Sequence, residues 1–152
     1  MAQVVTDILS VNNPLFRVYA FYCSILVLKM MFMSVLTSYK RMTTKAFENP
    51  EDLAFLNGKL RTDESVERVR RAHLNDLEGI PIFFVVSLIY ILTNPSYFFA
   101  TTLFRVFTIT RTIHTIVYAV VVIPQPARGI SWFFGFAITG YMALHNVSYF
   151  LR

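Results

Sequence analysis

A single cysteine, Cys23, in a chain of 152 residues excludes an internal disulfide framework and a CxxC redox or metal pair. Charge is equally scarce: 15% of the residues are Asp, Glu, Lys or Arg, against roughly 25% in an average soluble domain. There is no Gly-rich phosphate loop, no internal repeat and no low-complexity tract. What the chain has is apolar: 55% hydrophobic residues, with 15 Phe, 8 Tyr and 6 Met, and a mean hydropathy of +0.52. A compact soluble fold of this length could not hide so much apolar surface, which sets aside a soluble cytosolic enzyme. Disordered chains are poor in these residues, so disorder goes as well. The length suits one domain, 1–152, and not two. The net charge of +5 and pI of about 9.6 do not point to a nucleic-acid partner, because in so hydrophobic a chain basic residues mark cytoplasmic loops.

A membrane-spanning helix needs about 20 mostly apolar residues, and four windows qualify: 15–39, 66–92, 97–123 and 130–151. In the second, a charged stretch from Val66 to Glu78 flows without a break into Ile80 to Leu92. Asn94-Pro95 turns the chain between the second and third, and Pro124-Gln125-Pro126 separates the third from the fourth. The expected fold is an all-α membrane protein, a four-transmembrane-helix bundle with one long loop over 40–65. Met1 to Asn13 carries Asp7, no basic region and no small-residue cleavage site, so it does not read as a signal peptide.

Most basic residues, including Lys40, Arg41, Lys45, Lys59, Arg61, Arg68, Arg70 and Arg71, fall between the first and second windows. The positive-inside rule then turns the 40–65 loop and the Pro124 to Arg128 connection to the cytosol, and both termini to the lumen. The costly polar groups are thereby expected in one leaflet.

Arg71, Asn75 and Glu78 share one helix face, with Glu78 about 10 Å deeper than Arg71. Arg111, His114, Thr115 and Tyr118 repeat that spacing on the third helix, where Arg111 lies about 18 Å from the cytosolic end. A lone charge at such depth costs about 2.5 kcal/mol or more, so Glu78 is expected to pair with Arg111, or with a ligand. Arg41, Arg70 and Arg71 at the cytosolic edge are expected to need an anionic ligand or a neighbouring subunit. Several arginines around one acid suit a small anion with more carboxylates than amines. Glutathione, an acidic phospholipid headgroup and a nucleotide phosphate all meet that description, and spacing does not choose among them.

The run from Leu60 to Glu78, LRTDESVERVRRAHLNDLE, closely resembles the signature of the membrane-associated proteins in eicosanoid and glutathione metabolism. Asn49-Pro50-Glu51-Asp52, the Arg111 to Tyr118 segment and Pro124 to Gly129 continue the resemblance in order over nearly the whole chain. The resemblance implies a homotrimer of four-helix subunits in the endoplasmic reticulum membrane, with the mitochondrial outer membrane as a second location. It implies glutathione as co-substrate, bound between subunits on the cytosolic side by Arg41, Arg70, Arg71, His73, Asn75, Glu78, Arg111, His114 and Tyr118. Arg128 matches the arginine associated with the thiol, with Tyr118 as its rival for that role. The implied activity is transfer of glutathione to hydrophobic electrophiles from the bilayer, together with reduction of lipid hydroperoxides. Within the family, a prostaglandin E synthase-type isomerase and a non-enzymatic lipid-binding scaffold are the alternatives.

Departures narrow this. The prostaglandin-isomerising branch has an arginine where Leu74 stands and a serine where Gly129 stands. The leukotriene C4 synthase branch has a tyrosine at the place of Gly79. A stress-sensing cysteine that follows Asn-Pro-Glu-Asp in mammalian transferases is Leu53 here, so activation by thiol modification is not expected. A channel would need a continuous polar path, and the polar set stops in one leaflet.

The remaining candidates read as structural. Cys23 is a packed small hydrophobe, because no basic neighbour in sequence lowers its pKa. Lys29 snorkels or pairs, His145 is interfacial, and the Asn146-Val147-Ser148 pattern lies in a helix and is not glycosylated. His73 and His114 sit on different helices without further ligands, so no metal is expected.

Overall fold

The computed structural model describes residues 8–54 and 56–152. The reading of Met1 to Asn13 falls in large part on residues 1–7, outside the described residues. Four long helices dominate. Helix α1 spans Pro14–Thr44; the Asn13 side chain caps it by accepting from the Leu15 and Phe16 amides, and Pro14 occupies the first turn, where a missing N–H costs nothing. It runs past Tyr39, because lysine and arginine do not stop a helix. Lys45 does, in the left-handed region at φ 53°, with its N–H turned back to the Arg41 carbonyl.

The expected loop is built. Strand β1 (Ala46–Phe47) pairs in parallel with β2 (Lys59–Leu60), with a 3-10 turn over Pro50–Ala54 between them. Phe47 is buried against Gly58, where any side chain would collide with its ring. Helix α2 (Glu64–Leu92) starts at Asp63, whose carboxylate accepts from the Ser65 amide at 2.9 Å and hydroxyl at 2.6 Å. Those two bonds hold the Asp63 carboxyl below the usual range.

Asn94, at φ 52°, turns the chain into α3 (Tyr97–Thr115). A π-helical turn over Ile116–Val120 follows, so regular helix stops short of the expected Ile123; the Val121 N–H reaches five residues back to the Ile116 carbonyl at 2.8 Å. After the cis Gln125–Pro126 peptide, α4 runs over Ala127–Phe150, three residues earlier at its start than the apolar window. Around the bundle the helices follow the order α1, α2, α4, α3, so α2 and α3, though consecutive, sit diagonally and touch little.

By length and composition α1 and α2 are apolar enough to cross a membrane. Helix α3 is diluted by Thr101, Thr102, Arg105, Thr108, Thr110, Arg111, Thr112, His114 and Thr115. The larger core joins Leu26, Ile80, Phe83, Tyr90, Phe104, Phe107 and Met142, with Phe83 and Phe107 stacked at 3.8 Å between centroids. A smaller one joins Met33, Val69, Ala72 and Ala119 near the β1–β2 end. Large side chains such as Phe32, Phe98, Phe133, Phe136 and Leu144 stay exposed on the outer faces, far more apolar surface than a water-soluble monomer tolerates.

Between the two cores lies a polar layer that sequence reasoning did not anticipate. Asp76, fully buried, pairs with Lys29 from α1, and Thr115 stands 3.5 Å from the same carboxylate oxygen. Lys29 therefore pairs and does not snorkel.

Candidate functional site

Helix α2 carries the candidate residues on two sides, and the clefts follow from that. On the side facing α1, Arg41, Arg70, Arg71 and His73 line a cleft of about 470 Å³. On the other, Arg71, Asn75, Glu78, His114, Tyr118 and Arg128 line a cleft of about 410 Å³ among α2, the π turn and the start of α4. Arg71 and Leu74 belong to both and form the ridge between them. A third cleft of about 380 Å³ adjoins the second, shares Asn75, Glu78 and Trp132 with it, and continues as an apolar groove past Ile82, Val86 and Phe136. The sequence-predicted residues thus come together in part: Arg41, Arg70 and His73 face away from the rest.

The edge arginines do not wait for a neighbour. Arg70 Nη1 bonds Glu48 at 2.5 Å and Glu67 at 2.8 Å, Arg41 Nη2 lies 3.3 Å from Glu48, and Arg71 Nη2 bonds Glu64 at 2.6 Å. The expectation that these charges require a ligand or a second subunit is corrected by Glu48, Glu64 and Glu67. They escaped notice because Glu48 reaches Arg70 only through the folded loop. These pairs are largely exposed, so each is worth little and can be exchanged for a ligand carboxylate.

Glu78 is also not where it was expected. It is exposed, and makes no ion pair among the described residues. The buried Arg111 instead donates from Nη1 to the Asn75 side-chain oxygen at 2.7 Å, and its guanidinium lies against Gly79. A Cβ at position 79 would come within 2.6 Å of Arg111 Cζ and overlap Nη2, so glycine is what seats the arginine. Arg111 Nε, enclosed, has no partner among the described residues. The acid buried in the bundle is Asp76, two residues earlier, and Glu78 is left free on the wall of the second cleft.

Arg128, in the first turn of α4, stacks its guanidinium on the Tyr118 ring, 4.4 Å from the centroid. The Tyr118 ring in turn meets the edge of buried His114 at 5.6 Å, and His114 Nδ1 has no partner among the described residues. Gly129 donates its N–H to the Gln125 side chain at 3.1 Å, tying the proline-rich turn to the helix that carries Arg128. The result is a run of contacts from His114 through the Tyr118 ring to Arg128.

Trp132 was missed by sequence reasoning. It lines both the polar and the apolar cleft, one helical turn beyond Arg128, and that spacing was the available signal. The expectation that costly polar groups gather at one end also fails: Arg17 and Arg105 share a cleft at the opposite end of α1 and α3. Asn146 is buried and donates to the Val86 carbonyl at 2.9 Å, in keeping with the structural reading of Asn146-Val147-Ser148. No cluster of metal ligands occurs among the described residues.

A four-helix chain in which a cleft lined by Arg71 and Arg128 adjoins an apolar groove defines a class of helical protein with two neighbouring clefts. Comparison with known proteins makes this particular. A model of the MAPEG family matches residues 19–148. The chain is 47% identical over 138 residues to microsomal glutathione S-transferase 1 of Sus scrofa, covering 87% of this chain and 88% of that protein. The same protein of Rattus norvegicus is 46% identical over the same shares. Prostaglandin E synthase of Homo sapiens is 36% identical over 112 residues, 72% of this chain and 74% of that one. The chain belongs to the MAPEG family, as the Leu60 to Glu78 run led one to expect.

Proposed function

We propose that this protein is a membrane-embedded glutathione transferase that joins glutathione to hydrophobic electrophiles arriving from the bilayer. The observation that carries the reading is the shared wall of Asn75, Glu78 and Trp132. It sets a cleft with Arg71, His114, Tyr118 and Arg128 beside an apolar groove, so a charged and an apolar reactant can meet. The name of the similar relatives, microsomal glutathione S-transferase 1, agrees with it.

In this mechanism the arginines take the two carboxylates of glutathione, and the free Glu78 carboxylate takes its ammonium. The thiol, with an ordinary pKa of about 8.5, loses its proton to water; Arg128 and the Tyr118 hydroxyl donate to the sulfur and favour the thiolate. A guanidinium cannot accept the proton, so Arg128 acts electrostatically. The thiolate forms a C–S bond with the electrophilic carbon, and the leaving group departs with its electron pair. With a lipid hydroperoxide the thiolate attacks the terminal oxygen, the alcohol leaves, and a second glutathione completes the disulfide and releases water.

The functional unit in this reading is a homotrimer. Arg41, Arg70 and His73 face the far side of α2 from Arg128, and one glutathione engages both sets only if a second copy brings its first cleft against the second cleft. All four helices span the endoplasmic reticulum membrane with the β1–β2 loop in the cytosol. The mitochondrial outer membrane is a second location. Leu74 on the ridge and Gly129 beside Arg128 argue against prostaglandin isomerisation.

The test is absorbance of the thiolate on purified protein with glutathione, followed by turnover of a chlorinated nitrobenzene and of a lipid hydroperoxide. Absence of both thiolate and turnover, with lipid still bound, would replace the transferase by a lipid-binding scaffold. Protease added to sealed microsomes should cut between Lys45 and Asp63. Mass measurement in detergent should give three chains.

A further inference from the structure

We infer that the cleft between the outer ends of α1 and α3 binds the phosphate of an anionic phospholipid, in the leaflet opposite the glutathione cleft. The cleft, of about 500 Å³, is lined by Arg17, Phe21, Tyr22, Tyr97, Thr101 and Arg105. Arg105 Nε donates to the Tyr22 hydroxyl at 3.2 Å, which fixes the guanidinium and leaves its two terminal nitrogens open. Among the described residues neither Arg17 nor Arg105 has a carboxylate partner, unlike Arg41, Arg68, Arg70 and Arg71 at the other end.

Depth makes this more than a surface patch. Arg105 lies about 12 Å along α3 from Tyr97, at the edge of the hydrocarbon, where a cation without a counter-charge is costly. A phosphate accepts from two guanidinium groups and from the hydroxyl of Tyr97, while acyl chains follow Phe21 down the bundle. Free phosphate would satisfy the charges and leave the apolar wall uncovered, so the lipid is the better occupant. The inference rests on the bundle lying in a membrane, and is independent of the transferase chemistry.

The test uses full-length protein in detergent, with binding of phosphatidylglycerol and phosphatidylcholine measured by native mass spectrometry and glutathione turnover followed in parallel. Phosphatidylglycerol should bind the wild type more tightly, and its affinity should fall about fivefold in Arg17→Gln and about fivefold again in Arg17→Gln/Arg105→Gln. Lys59→Gln/Arg61→Gln, at the opposite end, should keep it, and turnover should be unchanged in all variants. If the double variant does not fold, Arg17→Gln alone decides, since its side chain makes no hydrogen bond among the described residues. Equal affinity for the two lipids, no loss in Arg17→Gln, or complete displacement of the lipid by equimolar inorganic phosphate would each overturn the assignment. Absence of turnover in the wild type with lipid binding intact would count against the transferase reading and leave this one standing.

Discussion

Replacing Asp76 by Asn removes one charge from the polar layer and leaves Lys29 in place. The Asp76 side chain is fully buried and that of Lys29 is 12% exposed, so the ammonium has neither water nor a counter-ion to turn to. Breaking a buried pair in this way costs about 3–5 kcal/mol. For a chain of this size 3 kcal/mol corresponds to a fall in Tm of roughly 6–12 °C. Lys29→Met strands the carboxylate instead; either orphan can neutralise, the carboxylate by taking a proton and the ammonium by losing one, so the two single losses should be of similar size. In Lys29→Met/Asp76→Asn neither member of the pair is charged, and Thr115 can still hydrogen-bond the amide; the double variant should be more stable than Asp76→Asn alone. The assay is thermal unfolding in detergent, followed by circular dichroism, for all four proteins. Additivity of the two single losses to within about 0.5 kcal/mol would refute the reasoning, because it would mean that the two groups do not sense each other.

Glu78→Gln should weaken glutathione binding about tenfold, the loss of one charge-assisted contact, without lowering Tm, since Glu78 is exposed and unpaired; an unchanged affinity with a lower Tm would restore a purely structural role. Arg128→Ala should remove the thiolate absorbance at neutral pH and leave glutathione bound, with part of the rate returning as the pH is raised toward the ordinary thiol pKa. If Tyr118→Phe does this and Arg128→Ala only weakens binding, their roles are exchanged. Gly79→Ala should cost about 1–3 kcal/mol by pushing Arg111 off Asn75. Gly135→Ala, whose Cβ would meet Arg111 Nε and Phe107 at an ordinary 3.6 Å, should be close to neutral in the same melting experiment.

The helices were legible because their limits are written in local chemistry. Asn94-Pro95 and Pro124-Gln125-Pro126 read as breaks and each ends a helix here, while the caps at Asn13 and Asp63 went unread, which is why the first two helices begin a residue or two before the apolar windows. Helical spacing put Asn75 with Glu78, and His114 with Tyr118, on shared faces; that these faces and Arg128 line one cleft was expected from the family resemblance. What stayed hidden depends on partners distant in sequence. Asp76 sits between Asn75 and Leu77 in a charged run that looks solvent-facing, and only Lys29, 47 residues earlier, makes its burial tolerable. Glu78 seemed the natural mate of Arg111 on grounds of depth, yet Gly79 draws the guanidinium flat against α2 and hands it to Asn75. The salt bridges of Glu48 required the β1–β2 pairing, and two-residue strands leave no periodicity to read. The π turn after Thr115 shows only as a change in hydrogen-bond reach.

Trp132 is the only tryptophan in the chain, and it stands in the wall common to the polar cleft and the apolar groove, its ring stacked on Phe136 at 5.1 Å. All indole emission from this protein therefore originates at the wall between the two clefts, where the proposed transfer brings its reactants together. An anion settling beside Arg128 alters the field on one side of the chromophore, and a nitroaromatic entering past Phe136 quenches it from the other. The order in which two substrates arrive becomes an optical measurement on the unlabelled molecule, with no second indole to subtract.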